Sequence, residues 1–417
     1  MMWANWSNSV TADAHVVAPG SLDELARVIS SARRVRPVGA GHSFMPLCES
    51  DDHILDLGRL EGDIRIAPGR ERAWVPAGWS IAKLTEALWT EDLSLANQGD
   101  INAQSLAGAT ATGTHGTGAG LGCLSTFVRG ARVMLADGSH ITCNDNENPD
   151  LFQAVRLSLG LVGVITELLI DVVPAYGLAE KVDVVPAGKL FSEFDAMTEG
   201  ERHGEFFIFP YADSGYFKTL TQVGKPEDSG PSSDFGEAFF ARAVKLGARF
   251  NMLVAPSQRL MMRLSRPSHR QGPAFRIYPS DRSVRFEEME YHFPLGAGLT
   301  ALRAARDYIR KQGLPVTFPF EYRRVKGDDI WLSPFRAPVN ESVAFHQFAG
   351  MPWRDLFSEV EAVFRDHAGR PHWAKRHTLN RSDVDALYPQ AGSFRLVRRK
   401  ADPEGKFLNA HLATLFA

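Results

Sequence analysis

Apolar residues recur with helical spacing near the start of the chain. Ser21-Leu22-Asp23-Glu24 has the form of a capping box. Leu22, Leu25, Val28 and Ile29 then repeat at three- and four-residue intervals, up to Arg33-Arg34, whose charge suits a helix C-terminus. This predicts a helix over 21–34. The segment 36–44 follows, then a short strand at 53–57 and a hairpin turning through Pro68-Gly69 into 73–75. A second helix is predicted from Ser80 to about Thr90. A third starts after Pro149, carries Leu151, Phe152, Val155 and Leu159, and stops at Gly160; a long strand is expected over 162–173.

Between these elements, residues 97–122 hold seven glycines, many alanines and threonines, and few large side chains. Such a stretch is expected to contribute little core and to pack its backbone against something else. Beyond Pro174 aromatic residues become dense (Phe206, Phe207, Phe209, Tyr211, Tyr216, Phe217), and 224–233 reads as a polar loop, so a domain boundary is placed near 175. Residues 237–264 mix apolar positions with scattered basic ones and read as a helical part of the second domain rather than a membrane-surface helix. The last forty residues look like a return to the first domain.

At 417 residues the chain exceeds one ordinary core, so two domains are expected. The 46 basic and 49 acidic residues form no basic stripe, which argues against a nucleic-acid partner. Three cysteines without CxxC spacing argue against a disulfide framework and against a zinc site, and no metal is expected. No signal-like segment and no apolar run of about 18 residues occurs. The expectation is a cytoplasmic protein without a membrane partner.

The chemistry sits in two glycine-rich segments. Gly39-Ala40-Gly41-His42-Ser43 offers successive backbone N–H groups of the kind that hold a pyrophosphate. It lacks the third glycine of a Rossmann fingerprint, because Phe44 stands there. The second segment runs from Ala107 to Gly118 and alternates accessible backbone with small hydroxyls. Further ordered motifs are Asn97-Gln98-Gly99-Asp100-Ile101, Glu321-Tyr322-Arg323, Pro371-His372-Trp373-Ala374-Lys375 and Asp402-Pro403-x-Gly405-Lys406-Phe407. Taken together, these motifs make the chain resemble the vanillyl-alcohol oxidase flavoprotein superfamily, in its branch of sugar-1,4-lactone oxidases and alditol oxidases.

The resemblance implies an α+β flavoprotein of two domains. One, over 1–175 and joined by a tail over about 376–417, binds FAD; the other, over 176–375, binds substrate on an antiparallel sheet with flanking helices. The implied cofactor-binding residues are Val38, Gly39, Ala40, Gly41, His42, Ser43, Phe44, Gly99, Asp100, Ser105, Gly108, Thr112, Gly113, Thr114, His115, Gly118 and Ile165, with FAD joined covalently to His42. The implied catalytic residues are Glu321, Arg323, His346 and Lys375. Glu321 and Arg323, two apart, would share one face of a strand. The implied reaction oxidises a sugar lactone or a polyol, with hydride passing to the flavin and molecular oxygen then giving hydrogen peroxide. Asp100 stands where alditol oxidases carry a serine, and Phe348 where they carry a threonine, which tilts the expected substrate toward a lactone. A lactone dehydrogenase with a non-oxygen acceptor and a flavin protein without turnover are the alternatives.

Overall fold

A computed structural model describes residues 2–226, 235–280 and 284–417. Ser21 caps the first helix, Leu22–Ser31, by accepting from the Glu24 amide at 3.2 Å, while the Glu24 carboxylate reaches back to the Gly20 amide instead of closing the box on Ser21. That helix is shorter than predicted. Asp52 accepts the Arg33 and Arg34 amides at 2.8 and 3.0 Å and pulls the chain out of the helix, and both arginines pair with Asp51. The helix after Pro149 likewise ends early, at Val155. Leu159 and Gly160 both adopt positive φ and turn the chain toward a cavity. The predicted long strand is Val164–Asp171 followed by a separate short strand, Val173–Pro174.

Two small sheets and one large one carry the architecture. Val35–Val38, His53–Asp56 and His15–Val17 form a parallel three-stranded sheet with His53–Asp56 in the middle. Arg65–Ile66, Arg72–Pro76, Val164–Asp171, Val128–Met134 and His140–Asn144 form an antiparallel five-stranded sheet. Its core takes in Val75, Val133 and Ile170 together with Phe394, Leu412 and Phe416 from the C-terminal helices. Leu106 and Ala109 belong to the same core. They lie on the helix Leu106–Thr112, so the glycine-rich stretch does supply core, contrary to expectation, because its small side chains let the helix pack closely.

The large sheet has eight antiparallel strands, ordered Ser268–Pro273, Gly177–Pro186, Ser214–Val223, His203–Ile208, Phe320–Lys326, Val339–Phe348, Phe286–Pro294 and Arg370–Pro371. The helices Ala297–Gln312 and Arg354–Asp366 bury one face of it against Met289, Tyr291, Phe293, Phe320, Tyr322 and Phe345. By the two-residue period of strands, Glu288, Glu290, His292, Glu321 and Arg323 therefore point to the other face. Residues 237–264 are helical as predicted, in Phe235–Arg249 and Val254–Leu264. The predicted polar loop 224–233 lies mostly outside the described residues.

Arg36 ties distant parts of this fold together. Its fully buried guanidinium donates to the carbonyls of Leu47 at 2.7 Å, Leu159 at 2.5 Å and Gly160 at 2.9 Å, and also to that of Phe407. Burial lowers its pKa to about 10, which still leaves it charged at neutral pH.

Candidate active site

Two cavities meet inside the molecule. The larger, of about 880 Å³, is walled by backbone and small residues. It takes in Val38, Gly39, Ala40, Gly41, His42, Ser43, Ser105, Gly108, Thr112 and Ile165, ten of the residues expected to bind the cofactor. The second, of about 610 Å³, is lined by Glu288, Glu290, Glu321, Arg323, His346, His372 and Lys375, with Gly99, Asp100, Thr114 and His115 on the remaining wall. His42, Gln104 and Ala374 border both.

The larger cavity fits a dinucleotide. Among the described residues, none of the backbone N–H groups of 39–43 donates to a protein acceptor, so a row of amides is free to hold a pyrophosphate. Among the described residues the only charged side chain on this wall is Arg36, four of whose five N–H donors already serve carbonyls. The phosphates would therefore be held by backbone. Gly39 is required by space: a Cβ there would stand 2.1 Å from Ser105 Oγ, and that hydroxyl accepts from Gly108 N at the start of the helix Leu106–Thr112. Gly39→Ala should displace this cap and empty the protein of FAD, read as the ratio of flavin to protein absorbance in the purified variant.

The second cavity is a set of ion pairs arranged by strand register. His346 lies opposite Glu288, and Ala344 lies between Glu290 on one side and Glu321 on the other. Arg323 donates to Glu290 Oε1 at 2.6 Å, and His115 Nε2 lies 3.1 Å from the same oxygen. Lys375 donates to Glu288, and His346 Nε2 stands 3.5 Å from it. Burial pushes the Glu288 carboxyl up, but Lys375 and His346 prevail and hold it at about 2. Glu290 is likewise buried, and Arg323 and His115 hold it well below its usual range. Glu321 is different. Among the described residues its only close ionic neighbour is Arg323 Nε at 3.4 Å, outside hydrogen-bond geometry, so its carboxylate keeps acceptor capacity for a ligand.

His42 stacks on Trp6 with ring centroids 5.4 Å apart. Burial, with Lys375 nearby, lowers its pKa to about 4, so the imidazole is neutral at physiological pH. His115, Glu290 and His292 bring three donor atoms within 4.8 Å of one another. Glu290 Oε1 in that group already faces both Arg323 and His115.

Three of the expected cofactor residues line neither cavity. Phe44 packs with Trp6 and Phe286 in an aromatic cluster. Gly113 ends the helix Leu106–Thr112 in a left-handed conformation, and Gly118 donates to the Arg324 carbonyl. Phe348 is also absent from both walls and packs in the Phe44 cluster. Glu288 and Glu290 line the second cavity and were missed by sequence reasoning. The available signal was the alternation Glu288-x-Glu290-x-His292 against Met289-x-Tyr291-x-Phe293, which puts titratable groups on one face of a strand and large apolar ones on the other.

A glycine-walled dinucleotide cavity that opens onto a pocket of buried acids and bases defines an FAD-dependent oxidoreductase. The chain belongs to the D-arabinono-1,4-lactone oxidase family, whose profile matches residues 168–415, and the profile of an FAD binding domain matches 14–144. An L-gulono-1,4-lactone dehydrogenase of Mycobacterium tuberculosis is 34% identical, covering 98% of this chain and 97% of its own. An L-gulonolactone oxidase of Bos taurus is 27% identical over 95% and 94% of the two chains. An alditol oxidase of Streptomyces sp. is 29% identical over 99% and 98%. A crystal structure of cholesterol oxidase from B. sterolicum superposes with a TM-score of 0.85 at 17% identity, over 100% of this chain and 96% of that one, which shows the vanillyl-alcohol-oxidase-type fold. Among the described residues no helix is long and apolar enough to cross a membrane.

Proposed function

We propose that this protein oxidises a secondary hydroxyl of a sugar-1,4-lactone with dioxygen as final acceptor, releasing hydrogen peroxide. The observation that carries the reading is the junction at His42, Gln104 and Ala374, where the pocket lined by Glu321, Arg323 and Lys375 meets the larger cavity. FAD, when bound, supplies the two-electron acceptor. Glu321 accepts a hydrogen bond from a substrate hydroxyl. Arg323, held in place by Glu290, presents its remaining donors to the lactone. Lys375 stabilises the reacting oxygen as it becomes alkoxide-like, and His346 stands beside Glu288 to take the hydroxyl proton. Asp100 accepts from Ser280 Oγ at 2.9 Å, so it braces the pocket wall where alditol oxidases carry a serine.

Anaerobic mixing with L-gulono- or D-arabinono-1,4-lactone should bleach the flavin, and admitting air should restore it with one peroxide per turnover. Bleaching by xylitol but not by lactones would move the reading to a polyol. The relative named a dehydrogenase supports one second reading, a non-oxygen acceptor. A reduced enzyme indifferent to air would select it. Gly99 bears on this choice, since a methyl there would lie 3.0 Å from Thr114 Cγ2 and 3.3 Å from the His115 carbonyl. Gly99→Ala should crowd the pocket wall and slow reoxidation more than reduction, as stopped-flow traces would show.

Covalent attachment through His42 is part of the proposal. A neutral imidazole bordering both cavities is a competent nucleophile. Acid-precipitated protein should stay yellow and give a fluorescent band on a denaturing gel, and His42→Ala should lose both signals; a colourless pellet from the wild type removes the covalent link.

A further inference from the structure

From Glu237 to Asp281 the sequence contains no acidic residue between these two, yet it carries eight arginines and lysines, in a chain whose net charge is −3. The described part of this stretch includes the outer surface of the hairpin made by Phe235–Arg249 and Val254–Leu264. Its two helices repeat one pattern: Lys245-Leu246-x-x-Arg249-Phe250 and Arg259-Leu260-x-x-Arg263-Leu264. Four-residue spacing puts each repeat on one helix face, and that face is exposed. Among the described residues, five of the ten exposed large apolar side chains lie here, with Met252 at the hairpin tip 83% exposed and Leu264 57% exposed.

These side chains are not misplaced core. The inner face of the hairpin is already buried, Val244 against Phe286 and Phe318, Met261 and Met262 against Phe209 and Ala212. Nor are the cations neutralised. Among the described residues none of Lys245, Arg249, Arg259 and Arg263 makes an ion pair, whereas Arg270, just beyond, is paired with Glu180. Sequence alone favours an ordinary helical segment; the exposure pattern changes that reading. A monomer rarely shows clustered apolar residues to water, and cations set between them match a surface that is apolar inside and anionic at its rim.

We propose that this hairpin docks the protein on an anionic lipid bilayer, with Leu246, Phe250, Met252, Leu260 and Leu264 entering the headgroup boundary and the flanking cations meeting lipid phosphates. The inference is independent of the substrate. It requires peripheral binding and no membrane-spanning helix.

The test is flotation of the full-length FAD-loaded protein with vesicles of phosphatidylcholine alone or mixed with phosphatidylglycerol, at low and high salt. Binding to the mixed vesicles, weakened by salt, is the expected result. Arg259→Glu with Arg263→Glu should weaken it more than about 25-fold, at about fivefold for each lost cation. Leu260→Ser with Leu264→Ser should weaken it about tenfold. Lys311→Glu, exposed on another helix, should leave it unchanged. FAD content and lactone turnover without lipid should match wild type in all three, which separates docking from folding. Absence of vesicle binding, binding that survives both double variants, or equal binding to neutral vesicles would overturn the proposal. So would a dimer, seen by light scattering and broken by the leucine variant, that binds no vesicles, since the face would then be an interface between two copies of this chain.

Discussion

Lys375→Ala and Arg323→Ala should each lower kcat/KM by about 30- to 1,000-fold, roughly 2–4 kcal/mol of transition-state binding, while the flavin spectrum stays intact. Arg323 lies between Glu321, 3.4 Å from its Nε, and Glu290, to which it donates at 2.6 Å, while Lys375 donates to Glu288; Glu288 and Glu290 are both buried on the strand Phe286–Pro294. Removing a cation thus also leaves a buried carboxylate without its main partner, a loss of about 3–5 kcal/mol in stability. The two effects can be separated. Lys375→Met combined with Glu288→Gln should recover much of the stability in denaturant unfolding and none of the turnover. Glu321→Ala should instead raise KM, since in the proposed reaction its carboxylate accepts from a substrate hydroxyl. Single variants that turn over within threefold of wild type would place the chemistry elsewhere.

Stability should fall between pH 6.5 and about 4, with Asp328, whose carboxyl is pushed up to about 6 by burial, offsetting part of the loss. Burial is the leading cause that lowers the pKa of His42 and His411 to about 4 and of His203, His372 and His377 to about 3. In the unfolded chain these groups take up protons near 6.5. The unfolded state therefore binds more protons across this window, and stability rises with pH through it and is lost as pH falls. At pH 5.5 each fully buried histidine contributes about 1.4 kcal/mol of destabilisation, and the partly exposed His42 and His411 less. The sum is several kcal/mol, a large share of the total stability of an ordinary domain. Glu288, held at about 2, acts at lower pH, where its stabilising contribution is lost as pH falls through its folded value. Denaturant midpoints at pH 7.5 and 5.5 should differ clearly with m unchanged; equal midpoints would mean that these histidines are hydrated.

Local signals in the sequence located the first elements. Ser21, Ser80 and Pro149 each start a helix where their chemistry predicts one, and the Glu321-x-Arg323 spacing does share a face and a cavity. What could not be read depended on partners far along the chain. Glu288 and Glu290 look like the solvent side of a strand until Lys375, 87 residues away, and Arg323, 33 away, are brought against them. The helix Leu106–Thr112 was hidden because alanine, glycine and threonine carry little periodic contrast, and its close packing is a tertiary fact. Gly113 and Gly118 belong to a motif in which Gly108, Thr112, Thr114 and His115 face the cavities, yet they serve a helix end and a strand contact. A motif read as a block cannot separate such roles.

The tie made by Arg36 also sets an order of events during synthesis. Its guanidinium lacks one of its four carbonyl partners until that of Phe407, 371 residues downstream, has been made. At the roughly 5–20 residues per second of translation, that delay is about 20 to 75 seconds. Until then the Arg36 tie to the loop at 159–160, which walls the larger cavity, is incomplete. Cofactor loading is therefore expected to follow synthesis of Phe407. Nascent chains stalled short of Phe407 should stay colourless in excess FAD, whereas released full-length chains should take it up.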